Sequence, residues 1–176
     1  MKKESIRKSL AALGRCLSRS TPIELLVIGG AAGLLTGELT GTYTTGDVDV
    51  LQVLPPNEWD QLQDAAAKVG VKMGLPANWL NRDAGLYGES LPADWKDRRF
   101  DAGRFGMLQV WAIGRLDLIA MKFYAHRPQD REHLAKMNVT KDELEFVLRH
   151  LDALDASDAR VDKGKIAMAR DWVRNW

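Results

Sequence analysis

The sequence predicts an α+β fold, close to α/β: a mixed β-sheet with packed helices and a helical C-terminal part. Three observations predict it. Short apolar runs suited to strands fall at 24–28, around Val48, Val50 and Val53, and at 107–113. Longer segments with apolar residues at helical spacing lie between these runs and take over toward the C-terminus. The 176 residues, 45% of them apolar, suffice for one core, and no repeat, low-complexity tract or long linker divides them. The expectation is a single domain over 1–176, with a basic N-terminal helix over 3–18 and C-terminal helices over 140–176.

The first helix is marked by Ile6, Leu10, Leu13 and Leu17 at helical spacing. Residues 1–20 also carry Lys2, Lys3, Arg7, Lys8, Arg15 and Arg19 against the single acid Glu4. Such a surface suits nucleic acid, a membrane surface or an acidic protein, and a targeting segment has a similar composition. Docking by the leucine stripe with the cations in water is the plainer reading. The formal net charge of the whole chain, +1, steers no partner by itself. No apolar run is long enough to suggest a membrane span. The lone Cys16 has no disulfide partner within the chain, which fits a reducing, cytoplasmic setting.

Glu24 to Ile28 reads as a short buried strand ended by Gly29-Gly30, and a helix poor in polar groups follows from about Ala31 to Leu39. Gly41 to Gly46 is a hydroxyl-rich loop, and the strand region of Val48, Val50 and Val53 is terminated by Pro55-Pro56. Asn57 is placed to cap a helix striped by Trp59, Leu62, Ala66 and Val69. From Gly74 to Gly106 the periodicity weakens, consistent with one or two short marginal strands. Its Trp79, Trp95 and Tyr87 fit closure of a sparse core better than base stacking. Met107 to Ile113 predicts a further strand, and Leu116 to Ala125 a helix burying Leu116, Ile119, Ala120 and Phe123, with Lys122 off the stripe and free to face water or a cleft. Pro128 suits the first turn of a short helix, Thr140 with Glu143 forms a capping-box pattern, and a last helix starts near Asp162.

The stretch from Ile28 to Val50 holds the chemistry. Alternate side chains of a strand share a face, so Asp47 and Asp49 point together while Val48 and Val50 point to the core. Two carboxylates on one face suit a hard divalent cation, and Mg²⁺ is commonly held by one or two carboxylates plus substrate phosphates. Upstream, Gly29-Gly30 at a strand end opening a helix exposes backbone N–H groups where a phosphate chain can approach. Each feature alone is common in turns and at surfaces. Their order, namely strand, glycine pair, small-residue helix, hydroxyl-rich loop and paired aspartates, is the informative part.

The segment "VIGGAAGLLTGELTGTYTTGDVDV" resembles the opening of the nucleotidyltransferase fold of DNA polymerase β-like transferases. It is similar in particular to small bacterial members related to the toxin components of abortive-infection and toxin-antitoxin pairs. Their motif is a GG or GS pair followed by T-x-D-x-D, and Thr45-Gly46-Asp47-Val48-Asp49 matches the second part. The later "VWAIGRLDLIAMKFYAHRPQDREHL" resembles their second region, a strand and a helix with a lysine followed by an arginine and acids, here Lys122, Arg127, Asp130, Glu132 and His133. The resemblance implies that Asp47 and Asp49 bind Mg²⁺ and that Gly29 and Gly30 approach the triphosphate of an NTP. It further implies that Thr45, Lys122 and Asp130 serve the nucleotide, Lys122 assisting catalysis.

Two departures from that pattern stand in the sequence. The strand "MLQVWAI" offers Gln109 and Trp111 where polymerase-like members carry a third carboxylate, leaving Asp117 and Asp130 as acids nearby in the chain. Tyr43 stands where relatives often have a basic residue. The expected activity is Mg²⁺-dependent transfer of a nucleoside monophosphate from NTP to a hydroxyl on RNA, protein or a small molecule, with a cognate regulatory protein among the partners and no membrane. The alternative is a binding or regulatory module that kept the scaffold without the chemistry.

Overall fold

Strand β1 (Ile23–Ile28) occupies the middle of a five-stranded mixed sheet because it is apolar on both faces, its only charged residue being Glu24. The other strands are β2 (Val48–Leu54), β3 (Leu80–Asn81), β4 (Phe100–Phe105) and β5 (Leu108–Ala112), in the order β3-β2-β1-β5-β4. β1 runs antiparallel to β2 and parallel to β5, β2 is parallel to β3, and β4 and β5 form an antiparallel pair. In this computed structural model residues 1–157 and 160–176 are described, so that positions 158 and 159, inside the C-terminal region expected to be helical, lie outside them. The described residues form two compact units.

The first unit comprises Met1–Gly85 and Arg99–Ile113 and contains the whole sheet with helices α1 (Lys3–Cys16), α2 (Gly29–Thr36) and α3 (Trp59–Met73). Paired residues share a sheet face, and register places Ile23, Leu25 and Val27 beside Leu108, Val110 and Ala112 on one fully buried face. Helix α1 presents Ile6, Leu10 and Leu13 to this core, as its leucine stripe predicts, and packs on α3 and the β4–β5 hairpin. The approach to that hairpin is close enough that only glycine fits at position 14: a Cβ there would overlap the carbonyl of Phe105. Trp79 is fully buried and donates its indole N–H to the Ala66 carbonyl at 2.9 Å, which makes it a core residue, as the sparse periodicity around it suggested.

Boundaries differ in two informative places. Helix α2 begins at Gly29, not Ala31, because the glycine pair is itself the strand-to-helix turn. Asn57 does not cap α3: a short 3₁₀ turn over Pro56–Glu58 intervenes, and Glu58 takes the cap position without a side-chain bond. Pro55-Pro56 therefore does more than stop β2, since the second proline seeds the turn.

The second unit comprises Leu86–Arg98 and Gly114–Trp176, with α4 (Arg115–Ala125), α5 (Pro128–Met137), α6 (Lys141–Ala156) and α7 (Lys163–Arg174). The capping box of Thr140 and Glu143 is formed, and Asp162 caps α7 through the N–H groups of Gly164 and Lys165. Helix α4 is buried from Asp117 to Tyr124 on all sides, whereas Leu116, expected inside, is half-buried. An amphipathic reading of α4 misses this because three helices, α5, α6 and α7, pack against it.

Candidate functional site

At the C-terminal end of β1 the chain turns through Gly29, whose φ of 67° lies in the left-handed region that side chains disfavour. The turn brings the backbone against β2, where Asp49 is the register partner of Ile28. A Cβ on Gly29 would stand 2.7 Å from Oδ2 of Asp49, and one on Gly30 would stand 2.5 Å from the Tyr43 hydroxyl and 3.0 Å from Oγ1 of Thr45. The glycine pair is thus a cradle for three oxygen-bearing side chains of the following loop and strand.

Asp47 joins the same group. The Thr45 hydroxyl donates to its Oδ1 at 3.4 Å, and the amide Nδ2 of Asn81 donates to its Oδ2 at 3.2 Å. Val48 and Val50 are fully buried between and beyond the two half-buried aspartates, the alternation that the strand period predicts. The loop is pinned from the other side by Met1, whose backbone carbonyl accepts from the Thr45 N–H at 3.0 Å. Ile28 at the N-cap of α2 offers no side-chain acceptor, so no cap side chain takes the N–H groups of the helix's first turn.

Asn81 was not singled out by sequence. It lies in the irregular stretch after Gly74, and only the parallel pairing of β3 with β2 sets it opposite Asp49 and within reach of Asp47. Its Oδ1 accepts from the Asp83 N–H at 2.9 Å, which fixes the amide with its NH₂ toward Asp47.

On β5, Trp111 and Gln109 share the sheet face of Asp49 and Glu24 by register, and neither is a carboxylate. Trp111 donates its indole N–H to Glu24 at 2.9 Å and stacks under Arg99, while Gln109 donates to Asp101 at 2.7 Å. Asp47 and Asp49 supply hard oxygen donors close to the first turn of α2, whose N–H groups no cap side chain takes, a combination that fits Mg²⁺ completed by water and phosphate. Among the described residues no group of three or more His, Cys, Asp or Glu stands together as a metal ligand set.

The remaining sequence-selected residues lie in the second unit. Lys122 does not face water: it is 3% exposed, and its Nζ donates to Oδ1 of Asp130 at 3.0 Å and to Nδ1 of His133 at 2.8 Å. Burial lowers the Lys122 ammonium below its usual range against the pull of Asp130. Burial works the opposite way on Asp130, but His133, Arg127 and Lys122 outweigh it and hold the carboxyl well below the usual carboxylate range. Arg127 Nε donates to Oδ2 of Asp130 at 2.9 Å. The other acid nearby in sequence, Asp117, is fully buried and held by Arg98 at 2.6 and 3.1 Å.

Comparison with protein families matches residues 6–176 to one described as "Nucleotidyltransferase of unknown function (DUF6036)". The chain belongs to that family. The mixed sheet with packed helices is consistent with such an architecture. Comparison with curated proteins and with solved structures returns no match. Membership in this nucleotidyltransferase family covers both units, helix α1 included from Ile6 onward. No helix among the described residues is long and apolar enough to cross a membrane.

Proposed function

We propose that this family member transfers a nucleoside monophosphate from an NTP to a hydroxyl group on RNA, protein or a small molecule. One observation carries the reading: the Gly29-Gly30 turn lies directly against Asp49 and Thr45, and Thr45 in turn bonds Asp47. A phosphate chain needs approachable backbone N–H groups, a metal ion needs carboxylates, and here both stand within side-chain contact of one another.

In this reading Asp47 and Asp49 hold Mg²⁺, which when bound neutralises phosphate charge and favours the leaving pyrophosphate. Gly29 and Gly30 let Asp49 and Thr45 close against the turn, and the N–H groups of the first turn of α2, which no cap side chain takes, receive the triphosphate. Thr45 and Asn81 orient the Asp47 carboxylate from its two oxygens. The acceptor oxygen bonds to the α-phosphorus as its hydroxyl proton passes to solvent water, and the bond from that phosphorus to the bridging oxygen of pyrophosphate breaks, releasing pyrophosphate. Lys122 and Asp130 are assigned a different part from the one the family resemblance implies. Their mutual burial with His133 makes them an anchor of the helical unit.

Incubation with labelled NTPs, Mg²⁺ and pooled RNA, protein and small-molecule hydroxyl acceptors, read as label transfer and pyrophosphate release, tests the reading. Asp49→Asn abolishes both while leaving the melting profile intact; retained transfer in that variant sinks the mechanism. A second reading, a nucleotide-binding module without transfer, is favoured by Trp111 and Gln109 on β5, each engaged in hydrogen bonds of its own. Metal-dependent binding of every NTP with no pyrophosphate release from any acceptor pool selects it.

A further inference from the structure

Helices α1 and α3 of the first unit line a groove of about 540 Å³. Its deeper wall is apolar: Val69 is buried, and Ala11 and Ala12 are half-buried. Four cations stand around the opening, Lys8 and Arg15 from α1 and Lys68 and Lys72 from α3, and all four are exposed. No acid lines it. Lys8 has a loose ion pair with Glu4 at 3.8 Å, while Arg15, Lys68 and Lys72 have no ion pair among the described residues. Arg15 and Lys72 lie in the last turns of their helices, where the macrodipole welcomes cations. Lys8 and Lys68 lie more than a turn further back, where that effect has faded, so helix stability does not account for the full set.

We propose that this groove receives an acidic amphipathic helix of a partner protein. The volume lies in the range of pockets that hold small ligands, roughly 300–1,000 Å³. Its apolar wall suits side chains from one face of a docked helix. The charges set the rest of the match. Lys8 and Arg15 are seven residues apart, about 10 Å along the axis of α1 at roughly 1.5 Å per residue. Carboxylates at i and i+7 of a helix have the same separation, whereas a small amphiphile with one anionic head reaches only one of them. Lys68 and Lys72, one turn or about 6 Å apart, match carboxylates at i and i+4 on the other bank. Single-stranded nucleic acid is served less well, because no aromatic ring lines the groove on which a base could stack. The proposal is independent of nucleotide transfer, and its test contains neither NTP nor metal.

Cys16 lines the groove, is exposed, and is the chain's single cysteine, so alkylation of its thiol reports occupancy without engineering. The probe is a designed 18-residue helical peptide with Leu at i, i+3, i+4 and i+7 and Glu elsewhere, compared with a scrambled peptide of identical composition and with oligouridine. The expected result is at least tenfold slower alkylation with the patterned peptide, at least tenfold weaker binding of the scrambled one, and loss of protection in Lys68→Glu/Lys72→Glu. Arg15→Glu is a second variant on the other helix, and circular dichroism shows whether each is folded. Equal binding of the scrambled peptide, protection by oligouridine alone, unchanged protection in the folded variants, or no protection by any probe overturns the proposal.

Discussion

Replacing Gly29 by alanine separates the two costs that the β1–α2 turn imposes on a side chain. At φ 67° an alanine pays for the left-handed backbone, on the order of 1–2 kcal/mol. Part of this is offset by about 0.4–1 kcal/mol from a stiffer unfolded chain. Gly37 is the internal control, because it has φ 90° and nothing within 4 Å of where its Cβ would be. Gly37→Ala therefore carries the backbone cost alone, about 1 kcal/mol net. Gly29→Ala adds a contact at 2.7 Å with Oδ2 of Asp49. A carboxylate tip can rotate away, at about 0.5–1.5 kcal/mol for an off-rotamer angle, so the total falls near 1.5–2.5 kcal/mol. The functional cost is larger. Ordinary contact moves that oxygen by roughly 0.7 Å, beyond the ±0.2 Å within which a metal–ligand distance is expected to stay. Urea denaturation gives the stability of both variants, and calorimetric titration with a nonhydrolysable NTP, with and without Mg²⁺, gives the affinity. Gly29→Ala should lose about 10- to 100-fold in Mg²⁺-dependent affinity, the range seen when the support of a metal ligand is disturbed. Gly37→Ala should lose none. Equal losses in the two variants, or none in Gly29→Ala, refute the link between the glycine and the carboxylate.

Four further outcomes follow from the same structure. Gly14→Ala has no room against the Phe105 carbonyl, which is backbone and cannot rotate away; it should cost about 3 kcal/mol or more in urea denaturation, and a cost under about 1 kcal/mol would show that α1 packs elsewhere. Lys122→Met leaves Asp130 buried with one fewer cation and should destabilise by about 3–5 kcal/mol while the Mg²⁺-dependent nucleotide affinity of the folded fraction is unchanged; a selective loss of affinity would return Lys122 to the nucleotide site. Asn81→Asp sets a third carboxylate beside Asp47, so it should lower stability without metal and make Mg²⁺ stabilise the protein more than it does the wild type in thermal melts. Burial holds the His150 imidazole below its ordinary value against its bond to the Ser90 carbonyl, so the unfolded chain takes up the proton first. Its contribution is complete above about pH 6.5 and is lost as the pH falls toward the folded value, and His150→Gln should flatten the fall in stability between pH 7 and 5.

The parts of this fold legible in the sequence are those set by local chemistry. Leucines at helical spacing placed α1, a threonine and a glutamate three residues apart capped α6, and alternating valines and aspartates set the start of β2, with Val48 and Val50 buried and Asp47 and Asp49 half-buried. Helix α4 was legible as a helix but not in its surroundings. Its composition reads as amphipathic, but α5, α6 and α7 all pack against it, and α5 covers Lys122 through Asp130 and His133.

What the sequence by itself determined was the order of chemical parts around the site: a glycine pair at a strand end, a hydroxyl-rich loop and two aspartates in strand alternation. Those follow from backbone periodicity and from the conformations that glycine alone adopts freely, which are properties of neighbouring residues. What only the tertiary structure decided was which distant groups meet them. Asn81 reaches Asp47 through a two-residue strand too short to carry a pattern, Trp111 meets Glu24 across 87 positions of chain, and Lys122 finds Asp130 and His133 inside a helical core. Strand register and helix packing are set by the summed burial of the whole unit, and no local run of residues encodes that sum.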